Sequence, residues 1–198
     1  MTAIDKRGPG RPRNEAIDAA ILEATVDELI ERGFIAMSME SIAARAGVAK
    51  TTLYRRWSNQ GELALAAMRT FETAAAPPPE GTVRDQLIWL LDAMRRKWGN
   101  PRYAAMMRRV AADGTTSPDV YRRSRDHLIG PHIRLMNAVL TRAMDNGVIR
   151  ADVEVEHVRQ LLTSPVMAAA LTLKERVTRT QLEFTVDTVL RGLAVAAK

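Results

Sequence analysis

Ser38-Met39-Glu40-Ser41-Ile42-Ala43-Ala44-Arg45-Ala46-Gly47-Val48-Ala49-Lys50-Thr51-Thr52-Leu53-Tyr54-Arg55-Arg56-Trp57 reads as two short helices meeting at a tight turn. Ser38 is placed to cap the first helix, since its hydroxyl can accept an orphan backbone N–H. Glu40 falls in the first turn, where the helix dipole favours negative charge. Ile42, Ala43 and Ala46 share a face at helical spacing, and the small Ala43 lets a second helix cross closely. Gly47 stands where the chain must turn with positive φ, which costs glycine least. Val48 and Leu53 then point back toward Ile42 and close a small core. The second helix carries Lys50, Thr51, Thr52, Tyr54, Arg55 and Arg56, the arrangement in which a helix-turn-helix offers a recognition helix to the DNA major groove.

Charge agrees with this. Ser41 to Gln60 contains Arg45, Lys50, Arg55 and Arg56 and no acid, whereas Glu15, Asp18, Glu23, Asp27, Glu28, Glu31 and Glu40 lie upstream. Met1 to Asn14 is too rich in proline and glycine for a helix. It holds Gly10-Arg11-Pro12-Arg13, a narrow cationic segment suited to an A·T-rich minor groove, with Arg11 and Arg13 as the contacts. A flexible solubilising tail is the plainer alternative.

The chain has 198 residues, 46% hydrophobic and 26% charged, a balance that fits a globular protein. It has no cysteine, which excludes disulfides and thiolate metal sites. A net charge of +6 suits a polyanionic partner. No apolar run reaches membrane-spanning length and no signal-peptide pattern opens the chain, so the expected location is the cytoplasm. His127, His132 and His157 stand in no ligand motif, and no nucleophile elbow, phosphate loop or dinucleotide fingerprint occurs. The reading is therefore not an enzyme, with no cofactor and no metal.

The rest reads as helix, with no strand-like alternation. Glu15 to Arg32 forms a first helix, with Glu23, Asp27 and Glu31 along one side. Asn59 and Glu62 start another that runs to about Ala75. Ala76-Pro77-Pro78-Pro79-Glu80-Gly81 breaks the chain. Further starts are Thr82 with Asp85, Asn100-Pro101 and Ser117-Pro118-Asp119, and Gly130-Pro131 precedes a helix ending at Asn146-Gly147. Val155 to about Lys174 is helical with a kink expected at Pro165. Thr180 and Glu183 make a capping box for a last helix to about Ala197. The fold class is all-α, divided into a basic arm at 1–14, a three-helix helix-turn-helix unit at 15–75 and a helical domain at 82–198.

Gly33-Phe34, Ser38-Met39, Ile42-Ala43, Ala46-Gly47-Val48, Thr52-Leu53-Tyr54-Arg55-Arg56-Trp57 and Glu62-Leu63 resemble the DNA-binding unit of the tetracycline-repressor (TetR) family of bacterial transcription regulators. The resemblance covers about residues 15 to 65. It implies a homodimer bound to a palindromic operator and released when a small molecule enters the C-terminal domain. It places Ser38 and Tyr54 on phosphate, Lys50, Thr51 and Thr52 near bases or phosphate, Arg55 on a base, and Arg56 on phosphate or on a partner within its own helix; Arg45 joins these DNA-contact candidates by its charge. Two departures stand out: Ala49 cannot cap the recognition helix, and Gln60 replaces a frequent lysine.

A small-molecule site should be concave and largely apolar. The candidates are Trp89, Met94, Trp98, Tyr103, Met106, Met107, Val110, Tyr121, Met136 and Met167, each with plain core packing as the alternative. The basic stretch from Arg95 to Arg125 is a candidate to draw an anionic effector or to extend the DNA-facing surface, with a solvated face as the plainer reading. Val158, Leu161, Leu162, Val166, Ala169, Ala170, Leu173, Leu182, Val186, Val189, Leu190, Leu193 and Ala194 on the last two helices are candidates for a four-helix dimer interface, with Ala168 and Gly192 allowing close approach. The competing readings are a ligand-independent architectural DNA-binding protein and a helical interaction module that binds no DNA.

Overall fold

The computed structural model describes residues 15–72, 76–114, 122, 126–173 and 176–195. Helix α1 (Glu15–Glu31) buries Ile21, Ala24, Thr25 and Leu29. Thr25 is tolerated there because its hydroxyl donates to the Ile21 carbonyl at 2.7 Å. The chain then breaks at Gly33, whose φ of +80° favours glycine. A single turn, α2 (Gly33–Ala36), leads into α3 (Met39–Arg45).

The Ser38 hydroxyl accepts the Ser41 N–H at 3.0 Å, and the Ser41 hydroxyl accepts the Ser38 N–H in return. Gly47, at φ +66°, turns the chain into α4 (Lys50–Tyr54). Ile42, Ala43 and Leu53 are buried together beneath this turn. Ala49 gives α4 no side-chain cap.

Helix α4 is shorter than the sequence pattern implies. The Leu53 carbonyl takes the N–H groups of both Arg56 and Trp57, which tightens the last turn. Arg55 becomes the C-terminal cap, and Arg56 lies beyond the helix rather than on it. Helix α5 (Gln60–Arg69), capped by the Asn59 side chain on the Glu62 N–H, also stops before Ala75. There the Thr70 hydroxyl donates to the Ala67 carbonyl, and Phe71 and Glu72 close tight turns on Met68 and Arg69.

After irregular chain at Ala76–Pro79, α6 (Val83–Trp98) starts at its Thr82 cap. Helix α7 (Pro101–Asp113) follows, with Asn100 capping it and Pro101 in its first turn. The start signal at Ser117-Pro118-Asp119 lies outside the described residues. Helix α8 (Gly130–Asp145) has Pro131 in its first turn. Helix α9 (Val155–Ala168) contains Pro165 and continues for three residues past it. It then widens into a π turn at Ala169–Leu173, and the Arg108 guanidinium donates to the Ala170 carbonyl there.

The last helix, α10 (Arg179–Gly192), corrects the sequence reading at both ends. Its capping box is Thr178 with Gln181, two residues ahead of the Thr180–Glu183 pair. Both pairs have the required spacing. Val177 and Leu182, the two staple positions flanking the observed cap, are both buried, and the second pair lacks that anchor.

Among the described residues there is no strand. One hydrophobic core runs through both halves, because α1 packs on α5 and α7, and α2 packs on α7. The proline-rich segment is thus a linker between units that share a core. Arg84 on α6 forms a two-pronged ion pair with Asp187 on α10. No described helix is long and apolar enough to cross a membrane.

Candidate nucleic-acid interface and interior cavity

Lys50, Thr51, Tyr54 and Arg55 are all exposed, while Leu53 is fully buried and Thr52 half-buried. Positions 50, 51, 54 and 55 form one face by helical spacing, and Leu53 fixes the opposite side to the core. Tyr54 is 52% exposed, an uncommon setting for a large aromatic ring.

The cations around this face differ in their partners. Arg45 sits among three α1 carboxylates: it hydrogen-bonds Glu31 and lies 3.4 Å from Glu28 and 3.8 Å from Asp27. Its hydrogen bond holds the Glu31 carboxyl below the usual range. Glu28 is buried and also accepts the Ser41 hydroxyl at 2.9 Å. Arg56 is mostly buried, pairs with Asp18 and donates to the Thr52 carbonyl. These two arginines hold α3 and the end of α4 against α1. Lys50 pairs with Glu40 in the open, and its hydrogen bond lowers the Glu40 carboxyl. An exposed pair of that kind is screened by water and salt and adds little, so a phosphate competes with it easily. Arg55 is exposed, with no ion pair among the described residues.

Ser38 is half-buried with its hydroxyl engaged in the cap. The Gln60 amide donates to the Phe34 carbonyl at 2.5 Å and so ties α5 to α2. Arg11 and Arg13 lie outside the described residues.

In the second half, a cavity of about 780 Å³ opens between α6, Tyr103 of α7, the end of α5 and the segment 126–134. Trp89, Ala93 and Lys97 lie at i, i+4 and i+8 on α6 and share its wall with Met94 and Trp98. The Trp98 and Tyr103 rings meet edge to face at 5.2 Å. The Lys97 ammonium stands 5.0 Å from the centre of the Tyr103 ring and donates to the Leu128 carbonyl at 3.1 Å. Burial pushes the Lys97 pKa down and the Tyr103 pKa up. His132 hydrogen-bonds the Leu90 backbone, while its Nε2 is buried with no hydrogen-bond partner among the described residues. Burial, then the Lys97 charge, lowers its pKa.

Four candidates drawn from the sequence, Trp89, Met94, Trp98 and Tyr103, meet on this cavity. Met106, Met107, Val110 and Met136 do not line it; they are buried in the shared core, as apolar residues at helical spacing often are. Met167 is half-buried against the same core, away from the cavity. Tyr121 lies outside the described residues.

Comparison with known proteins decides the family. A family model described as "Bacterial regulatory proteins, tetR family" matches residues 21–67. A second, "Tetracyclin repressor-like, C-terminal domain", matches residues 77–189. The chain is 36% identical over 155 residues to the DNA-binding transcriptional repressor TetR of Mycobacteroides abscessus, covering 76% of this chain and 77% of that protein.

The chain belongs to the TetR family.

It is a DNA-binding transcriptional regulator built as an N-terminal helix-turn-helix and a C-terminal helical domain. It is also 26% identical to the regulator YdeS of Bacillus subtilis over 79% of each chain. Among solved structures, the TetR-family regulator SCO0332 superposes with a TM-score of 0.61 at 26% identity, covering 90% of this chain and 99% of that one. Salmonella enterica GusR gives 0.66 at 20% identity, covering 90% and 97%, a likeness of fold.

In this TetR-family chain, α7 physically links the cavity to the helix-turn-helix. Tyr103 lines the cavity near one end of α7. At the other end, the Asp113 carboxylate accepts the Phe34 N–H at 2.7 Å, and Arg109 donates to the Arg32 carbonyl at 2.7 Å. Arg102 adds pairs with Glu23 and Asp27 on α1. Lys97 entered the sequence analysis only within the basic stretch 95–125, with an anionic effector, a DNA-facing surface and a solvated face all open, and His132 only as a histidine in no ligand motif. The signal was the α6 spacing, which puts Lys97 on the same face as Trp89 and Ala93.

Proposed function

We propose that two copies of this chain bind a palindromic operator and repress transcription, and that a small molecule entering the 780 Å³ cavity releases them. The observation that carries the reading is the exposed face of Lys50, Thr51, Tyr54 and Arg55 on a helix clamped from behind by Leu53, Arg45 and Arg56. Arg55 and Thr51 face base edges, since a guanidinium engages guanine through two hydrogen bonds. Tyr54, Lys50 and the half-buried Thr52 serve the phosphate backbone. Ser38, Arg45 and Arg56 position this face. Arg11 and Arg13 extend it into the neighbouring minor groove. On this reading the DNA-binding unit is 15–75 and the effector and dimerisation domain is 82–198.

The pair assembles through the outer faces of α9 and α10. Leu161 is 58% and Phe184 68% exposed there, and Ala168 and Gly192 are exposed beside them. Val158, Leu162, Val166, Ala169, Ala170, Leu182 and Val186 are buried within the subunit and so support the interface from beneath. Ligand at Tyr103 shifts α7, and the Asp113–Phe34 and Arg109–Arg32 contacts carry the shift to α3 and α4. Derepression is then a population shift set by the ligand's differential affinity for the two arrangements.

Sequence selection from random duplexes, followed by a salt titration, tests this. One short palindrome, with affinity falling steeply as salt rises, is the expected outcome. A broad A·T preference without a palindrome favours a ligand-independent architectural protein instead. Absence of salt-dependent binding to any duplex removes the DNA-binding face altogether.

A further inference from the structure

The charged groups on the cavity wall are sorted by depth. The acids, Glu72 and Asp126, stand on its exposed rim together with Arg69, His127 and Arg134. The half-buried ionisable groups, Lys97 and His132, are both basic. Lys97 has no carboxylate within ion-pair distance among the described residues. Its ammonium has three donors, one of which goes to the Leu128 carbonyl. The Nε2 of His132 has no hydrogen-bond partner among the described residues. A buried polar atom left unpaired is costly, and the side chain that carries this one lines the same space as Lys97. Around them the wall is flat and apolar, made by Trp89, Met94, Trp98 and Tyr103.

We infer that the cavity takes an organic carboxylate with a flat apolar body, its acid group on Lys97 and His132 and its body against Trp89, Trp98 and Tyr103. A carboxylate accepts from the spare Lys97 donors and, once Nε2 binds a proton, from His132 as well. A cation is repelled by Lys97, and a neutral alcohol, although its oxygen accepts from Lys97 and its O–H donates to a neutral Nε2, brings no charge to offset the ammonium. Burial and then the Lys97 charge hold the His132 pKa down, and burial lowers that of Lys97 against the pull of Glu72; an anion beside both groups offsets these effects. The inference rests on the cavity being the effector site.

Calorimetric titration of the full chain at pH 7 with three matched probes tests it: 2-naphthoate, 2-naphthalenemethanol and 2-naphthylmethylammonium. The expected result is naphthoate binding at least tenfold tighter than the alcohol, with the ammonium weakest. Lys97→Met should reduce the preference for naphthoate below threefold while leaving the alcohol's affinity unchanged, which also shows that the cavity is still folded. His132→Gln should lower naphthoate affinity and abolish the proton uptake seen when the titration is repeated in buffers of different ionisation enthalpy. Equal or tighter binding of the alcohol or the ammonium overturns the inference and leaves the effector cavity standing. Full preference retained by Lys97→Met, or no proton uptake in the parent chain, overturns the assignment of the acid group. If none of the three binds at millimolar concentration, the effector reading falls with it.

Discussion

At the scale of single residues, partners separate four similar cations. Arg45 and Arg56 are held by α1 carboxylates, Lys50 shares an exposed pair, and Arg55 is exposed without an ion pair among the described residues. Sequence placed all four in one basic surface, because charge is visible in a sequence and the partner is not. By helical spacing the acids at Glu23, Asp27 and Glu31 lie along one side of the first helix. In the fold they meet Arg45 from α3 and Arg102 from α7. Arg55→Ala should cost about 1–3 kcal/mol at the selected operator and relax base choice at one position per half-site, read by binding to a panel of single-base variants. Tyr54→Phe should weaken binding to every duplex alike. A uniform loss for Arg55→Ala would move that residue from bases to phosphate.

The helix caps decide the element scale. Ser38, Asn59, Thr82 and Asn100 all cap the helices that their sequence context indicates. The last helix offered two boxes of equal local quality, and burial of Val177 and Leu182 chose between them. Thr178→Ala should therefore lower stability by about 1 kcal/mol, while Thr180→Ala changes it by a few tenths, measured by urea unfolding. Gly33 is the second case. Its φ is +80°, and a Cβ there would overlap Asp113 Oδ2 and Arg109 Nε. Gly33→Ala should destabilise by about 1–3 kcal/mol, seen as a lower Tm, because the strain falls where α7 grips the turn before α3. If Gly33→Ala leaves both Tm and ligand-induced release of DNA unchanged, that grip does not couple the two halves.

For the whole molecule, the test is assembly. The exposed Leu161 and Phe184 contribute little to the subunit's own core. The double variant Leu161→Glu with Phe184→Glu should give a folded monomer by analytical ultracentrifugation, with a Tm within a few degrees of the parent. It should lose tight binding to the two-half-site operator, because a symmetric site needs two recognition helices about one helical turn apart. A dimer that survives both charges would place the interface elsewhere.

The helix-turn-helix, its caps, the turn at Gly47 and the all-α class were determined by the sequence alone, since they depend on contacts within a few residues and on helical periodicity. The tertiary structure decided which methionines are core and which wall a cavity, that Lys97 and His132 face one interior space, and that α7 joins that space to Gly33. Those outcomes depend on residues far apart in the chain meeting across helices, and burial and pairing are properties of that meeting rather than of any one segment.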